Sequence, residues 1–156
     1  MATIPLTTNE RQYGGAVSDG NLTTCQFAVK TNAASIVQGS PYATAAASGD
    51  IIDLGPLQEG MRLEDAQVIV NAPLTAAGSA KLGFKYEDGV DDAKVPQDDD
   101  YFGTFALGAA ARVRATGAVG PVVLPKAARL ILTLAAAGAA NGSATVLVYG
   151  EQTGPL

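Results

Sequence analysis

A chain of 156 residues, with 47% hydrophobic and 16% charged side chains, is long enough for one domain with a real core and too short for two ordinary ones. Its net charge of −5, with ten scattered basic residues and no run of them, argues against nucleic acid, because phosphate binding needs clustered Lys and Arg. The absence of histidine removes Ser-His and Cys-His nucleophile systems, and the single cysteine, Cys25, permits no intrachain disulfide and no zinc spacing.

Eighteen glycines, eight prolines and no tryptophan favour many short strands and turns over long helices, around a core of small side chains. The first segment, "MATIPLTTNERQYGG", has neither the basic start nor the apolar run of a secretory signal, and no window approaches a spanning helix. The expectation is a chain made in a cytoplasm and kept off membranes. Asn21 in "NLT" and Asn141 in "NGS" then read as turn residues rather than glycan acceptors.

In chain order, residues 1–25 are polar, glycine-bearing and aperiodic, which predicts an irregular N-terminal arm. From Gln26 the period is two, with Phe27, Val29 and Thr31 opposing Gln26, Ala28 and Lys30. Residues 31–49 run irregularly through small side chains, with Pro41 and Gly49 as breakers. "DIIDLGPL" predicts a short strand closed by Gly55 and Pro56, and "LEDAQVIVNAPL" one with Ala66, Val68 and Val70 on a single face. "AKLGFKYE" alternates cleanly, Ala80, Leu82, Phe84 and Tyr86 pointing one way.

Beyond an acidic stretch, "YFGTFAL" and "ARVRA" read as a strand pair around "GAA", and "PVVLP" as a short strand suited to a sheet edge. "RLILTLAAAGAANGSATVLVYGE" reads as a closing hairpin with Asn141-Gly142 in its loop. The alanine runs are too short and too glycine-broken to nucleate helices. The predicted architecture is all-β: an antiparallel β-sandwich of about eight strands, of jelly-roll type, with an arm at 1–25, the sandwich at 26–150 and a tail at 151–156.

The acidic stretch is the one candidate for chemistry. Seven of fifteen acidic residues fall between Glu87 and Asp100, with Lys94 the only cation among them. The EF-hand pattern fails in either register, since Val90 and Ala93, or Phe102, stand where oxygen ligands or glycine are required. An irregular calcium cage of Asp88, Asp91, Asp92, Asp98 and Asp100 is one reading. The other is a solvated, self-repelling loop of about 14 residues between strands ending at Tyr86 and starting at Tyr101. Carboxylate-pair glycosidase chemistry lacks aromatic sugar platforms here, and no glycine motif fits a phosphate cradle, so neither catalytic nor cofactor-binding residues are expected.

The order "GDIIDLGPLQEGMRLEDAQVIV", "GSAKLGFKYEDG", "DDDYFGTFAL" and "PVVLPKAARLILTLAAAGAANGSATVLVYGE", over residues 49–150, resembles the capsid decoration and head-fibre-like structural proteins of tailed bacteriophages. The resemblance implies a non-enzymatic cement protein that binds the outside of an assembled head, often as a trimer, bridging subunits of the major capsid protein. It implies a place on the virion exterior after assembly in the host cytoplasm. In such proteins the N-terminal segment docks on the shell, so Ile4, Leu6, Tyr13 and Val17 are the expected capsid contacts, or else a frayed terminus. Tyr42, Tyr101 and Phe102 are candidate anchors for self-association, with core packing the alternative for Phe102. Two competing functions remain: a head-fibre or tail module binding a receptor or glycan, and a calcium-dependent carbohydrate-binding sandwich.

Overall fold

The computed structural model describes residues 1–6, 22–117 and 120–153, with the backbone alone for Leu22. Tyr13 and Val17 lie outside the described residues. Ten strands follow one another: β1 Thr3–Pro5, β2 Leu22–Lys30, β3 Ile51–Leu57, β4 Met61–Ala72, β5 Ser79–Tyr86, β6 Asp98–Ala106, β7 Ala111–Arg114, β8 Val122–Val123, β9 Ala128–Leu134 and β10 Ser143–Gln152. They form two sheets, β1-β3-β9-β5-β6 and β2-β10-β4-β7, with β8 also paired to β4. The chain is an all-β sandwich, and every pairing except the parallel β1–β3 is antiparallel.

Period-two patterning generates this core. Ala66, Val68 and Val70 of β4, Ala144, Val146 and Val148 of β10, and Phe27 and Val29 of β2 are buried on the inner face of one sheet. Across from them stand Ala80, Leu82, Phe84 and Tyr86 of β5 and Leu130, Leu132 and Leu134 of β9. Leu-rich β9 and Val-rich β10 are the central strands, and their apolar faces form the middle of a continuous cluster.

Two pairings and one strand end differ from expectation. β9 and β10 are not a hairpin: β9 pairs with β3 and β5 in one sheet, and β10 with β2 and β4 in the other. Residues 135–142 instead arch from sheet to sheet, with Asn141 at φ 55° next to Gly142, whose N–H donates to Thr31 Oγ1 at 2.8 Å. β6 and β7 are likewise split, β7 pairing with β4 from Gln67↔Arg114 to Val70↔Ala111. β3 does not stop at Gly55-Pro56 but passes through them to Leu57, because a bulge between Asp53 and Gly55 absorbs the irregularity.

The N-terminal residues are part of the sandwich. β1 runs parallel to β3, and the Leu6 N–H donates to the Asp53 carbonyl at 2.9 Å. Ile4 (3% exposed) and Leu6 (fully buried) join the core. The Asp50 carboxylate clamps this edge, one oxygen accepting the Ala2 N–H at 2.8 Å and the other the Ala47 N–H at 2.9 Å. Those bonds, with Ala47 the stronger influence, hold the Asp50 carboxyl below the usual carboxylate range.

Candidate functional site

β5 ends at Tyr86 and β6 begins at Asp98, so Asp98, Asp99 and Asp100 lie on a strand and the acidic connection is residues 87–97. The loop is not held open by repulsion. Asp91 Oδ1 accepts the N–H groups of Asp92 (2.9 Å) and Gln97 (2.7 Å), and Asp92 Oδ1 those of Lys94 (2.8 Å) and Val95 (3.0 Å). Asp88 Oδ1 accepts from Val90 N–H at 2.9 Å, making an Asx turn ahead of Gly89 at φ 68°. Three carboxylates thereby satisfy five backbone donors that a solvated loop would leave to water.

The sandwich holds this loop from below. Lys126 Nζ donates to Asp88 Oδ2 (2.7 Å) and to the Val90 carbonyl (2.6 Å) while sitting 4.6 Å from the centroid of the Tyr86 ring. The Tyr86 hydroxyl donates to the Val95 carbonyl at 2.5 Å. Burial, followed by the charges of Asp92, Asp91 and Asp88, pushes the Tyr86 phenol up to about 12, so it stays a donor throughout physiological pH. Arg129 spans the base, with Nε at 3.0 Å from Asp53 Oδ1 and Nη1 at 3.5 Å from Glu87 Oε1. A shallow groove of about 510 Å³ lies here, lined by Asp53, Lys85, Tyr86, Glu87, Gly89, Gln97 and Arg129.

The five-residue calcium set is not gathered in space. Among the described residues, only Asp98, Asp99 and Asp100 bring three carboxylate oxygens within 4.8 Å of one another. Asp98 Oδ1 accepts the Asp100 N–H at 3.1 Å, and Lys81 Nζ stands 3.3 Å from Asp99 Oδ2 and 3.8 Å from Asp100 Oδ2. Burial, then the neighbouring Asp100 and Asp99, raise the Asp98 carboxyl above its usual range. The hydrogen bond from Lys126 is the first cause of the lowered Asp88 carboxyl, and the Val95 and Lys94 N–H groups account for Asp92. Each of the seven clustered carboxylates thus has a partner within the chain.

Two of the three aromatic anchors belong to the core. Tyr101 (6% exposed) and Phe102 (2%) stack edge-on at 4.8 Å, and Tyr101 meets Phe84 at 5.5 Å. Consecutive residues both face inward because β6 leaves its register: Leu82 opposes Gly103 while Phe84 opposes Asp98. Gly83 permits this detour, since a Cβ there would lie 2.0 Å from the Asp98 carbonyl oxygen. The Tyr101 hydroxyl lies 3.2 Å from the Leu63 carbonyl and 3.1 Å from that of Gly120, tying the bulge to the opposite sheet. Tyr42 alone of the three is exposed, at 51%. Ile4 and Leu6 correct the expectation of an outward-facing arm, because their side chains are packed inside their own sandwich.

Lys126 and Arg129, which organise the site, were not singled out by the sequence: Lys126 stands 38 residues from Asp88, and Arg129 stands 42 from Glu87 and 76 from Asp53, so only the strand register brings them together.

No family model matches the sequence, and no curated protein matches it. Solved structures do resemble the fold. A chain from the capsid of Ralstonia phage GP4 superposes with a TM-score of 0.67 at 20% identity, covering 96% of this chain and 97% of that one. A chain of the cyanophage Pam1 capsid asymmetric unit gives a TM-score of 0.53 at 14% identity over 93% and 95% of the two chains. One from the acid-stable capsid of the Helicobacter pylori bacteriophage KHP30 gives 0.50 at 11% identity over 85% and 94%. At these identities the likeness is one of fold, and it extends over nearly the whole length of every partner.

Proposed function

We propose that this chain is a non-enzymatic structural protein of a tailed-phage virion, which binds the outer surface of an assembled head and stabilises it. The observation that carries this reading is the end-to-end superposition on the chain from the GP4 capsid, 96% of one and 97% of the other. A small sandwich matched over 85–96% of its residues to chains from three phage capsids supports an accessory role on a shell built by the major capsid protein. The acidic site agrees, since its carboxylates serve turns and ion pairs, and its phenol is held as a donor.

Cementing in this reading is linkage: a protein that binds only the assembled state stabilises it in proportion to occupancy and affinity. With Ile4 and Leu6 buried, the capsid contact falls on other surfaces, and a homotrimer at local three-fold positions remains the proposed form. The test is co-sedimentation of the purified protein with expanded heads that lack it. Saturable binding supports the reading, whereas failure to bind any head at micromolar concentration sinks it. A glycan array with no binder argues against the receptor-binding alternative.

A further inference from the structure

The arch from β9 to β10 contains a chemically labile pair, since Asn141 is the only asparagine of the chain that is followed by glycine. An asparagine loses its amide when the backbone nitrogen of the next residue attacks its side-chain carbonyl carbon, and a glycine, with no Cβ, hinders that attack least. The nitrogen gives up its proton, ammonia leaves, and a five-membered succinimide closes. Water then opens either carbonyl, so the net change is asparagine plus water to aspartate or isoaspartate plus ammonia.

The fold demands both members of the pair. Asn141 stands at φ 55°, a left-handed conformation that asparagine tolerates better than most side chains. Gly142 is buried without room for a side chain: a Cβ there would lie 2.5 Å from the Pro73 carbonyl oxygen and 2.8 Å from the Leu74 Cα. Asn141 itself is exposed, so water reaches its amide. Asn32 and Asn71, by contrast, each precede an alanine.

Thr31, just past β2, is a buried hydroxyl aimed at the reacting nitrogen. Its Oγ1 donates to the Ala139 carbonyl at 2.5 Å and accepts the Gly142 N–H at 2.8 Å. With its one proton committed to Ala139, a lone pair is what faces Gly142. The Thr31 N–H donates to the Gly142 carbonyl at 2.9 Å, and the Asn141 N–H to the Asn32 carbonyl at 3.0 Å, so the peptide groups on either side are pinned as well. Bringing the Gly142 nitrogen onto the Asn141 side chain means turning the peptide between them and leaving interior polar groups unpaired. We infer that Asn141 is a deamidation site kept silent in the folded chain, and that Thr31 Oγ1 is the group that silences it. Reaction there puts a carboxylate, or a backbone longer by one methylene, into the arch that joins the two sheets. The inference concerns how long the folded chain stays intact and does not depend on the capsid-binding reading.

The experiment incubates the full chain at mildly alkaline pH, folded and in strong urea, and follows conversion by mass spectrometry of the tryptic peptide after Arg129, which holds Asn141 as its only asparagine. The folded chain is expected to convert more slowly than the urea sample by about tenfold or more. Thr31→Val keeps the shape and removes the hydroxyl, and it raises the folded rate by about tenfold; Thr31→Ser keeps the hydroxyl and stays near the parent. Leu6→Ala, weakened in the core with Thr31 intact, separates local release from global unfolding and stays slow at temperatures where melting curves show every variant folded. Should Thr31→Val not fold, hydrogen exchange of the Gly142 amide in the parent chain replaces it: protection supports the lock, and exchange at the rate of an open loop overturns it. A folded chain that converts as fast as in urea, a folded Thr31→Val no faster than the parent, or a Thr31→Ser or Leu6→Ala variant as fast as Thr31→Val each overturns the proposal.

Discussion

Leu6→Ala separates two accounts of the N-terminus. In one, Leu6 is a contact kept for a capsid subunit; in the other it is core. The structure buries Leu6 completely, among an apolar cluster that includes Ile4, and β1 is fastened by the Leu6 N–H to Asp53 bond and the Asp50 clamp. Truncating a fully buried leucine removes its transfer energy and leaves a partly unrelaxed cavity, a cost of about 2–5 kcal/mol. Domains of this size have stabilities of about 5–15 kcal/mol, so the loss is a large fraction of the total. With a urea slope of about 2 kcal/mol/M, the midpoint of the isolated protein falls by about 1–2.5 M. Thr3→Ala, at an exposed position of the same strand, shifts it by less than about 0.3 M. The assay is equilibrium urea unfolding without any partner. An unchanged midpoint for Leu6→Ala refutes the placement of β1 and returns this segment to the role of an arm.

Three further outcomes follow from the same geometry. Asp50 has its carboxyl lowered in the folded state, so its contribution is present above the unfolded value of 3.8 and is lost as pH falls through the folded one; Asp50→Ala therefore lowers stability at pH 7, and the deficit shrinks in acid, as urea midpoints from pH 7 to pH 3 will show. Lys126→Ala removes the Asp88 and Val90 contacts and the stacking on Tyr86, raising amide exchange across residues 87–97 while costing only about 1 kcal/mol globally, because the Asp88 side chain is half exposed. Calcium at about 5 mM leaves the melting midpoint within about 1 °C of that in EDTA; a site with a dissociation constant near 50 μM would add about 2.7 kcal/mol and raise it by several degrees.

Much of the strand content was legible because period two is written directly in "QVIV", "AKLGFKY" and "SATVLVY". What a strand pairs with was not. β9 and β10 follow each other with an Asn-Gly between them, which reads as a hairpin, yet inward-facing alternation is the same whether a strand's partner lies beside it or across the core. β1 was missed because three residues are too few to show a period, and its only local signals, Ile4 and Leu6, fit an arm equally well. Tyr101 and Phe102 break alternation through a bulge set by Gly83 and by Gly103 at φ 96°, which no local pattern announces. In the acidic loop, composition suggested repulsion, whereas Asx bonding and two cations distant in sequence, Lys126 and Arg129, decide the outcome.

The central claim is that the chain stabilises an assembled head from outside. Its most direct measurement is the temperature at which heads lacking the protein release their DNA, recorded with increasing amounts of purified chain. The account predicts a saturable rise in that temperature that tracks occupancy, as mass action requires. A release temperature that does not move while the sites are filled contradicts it.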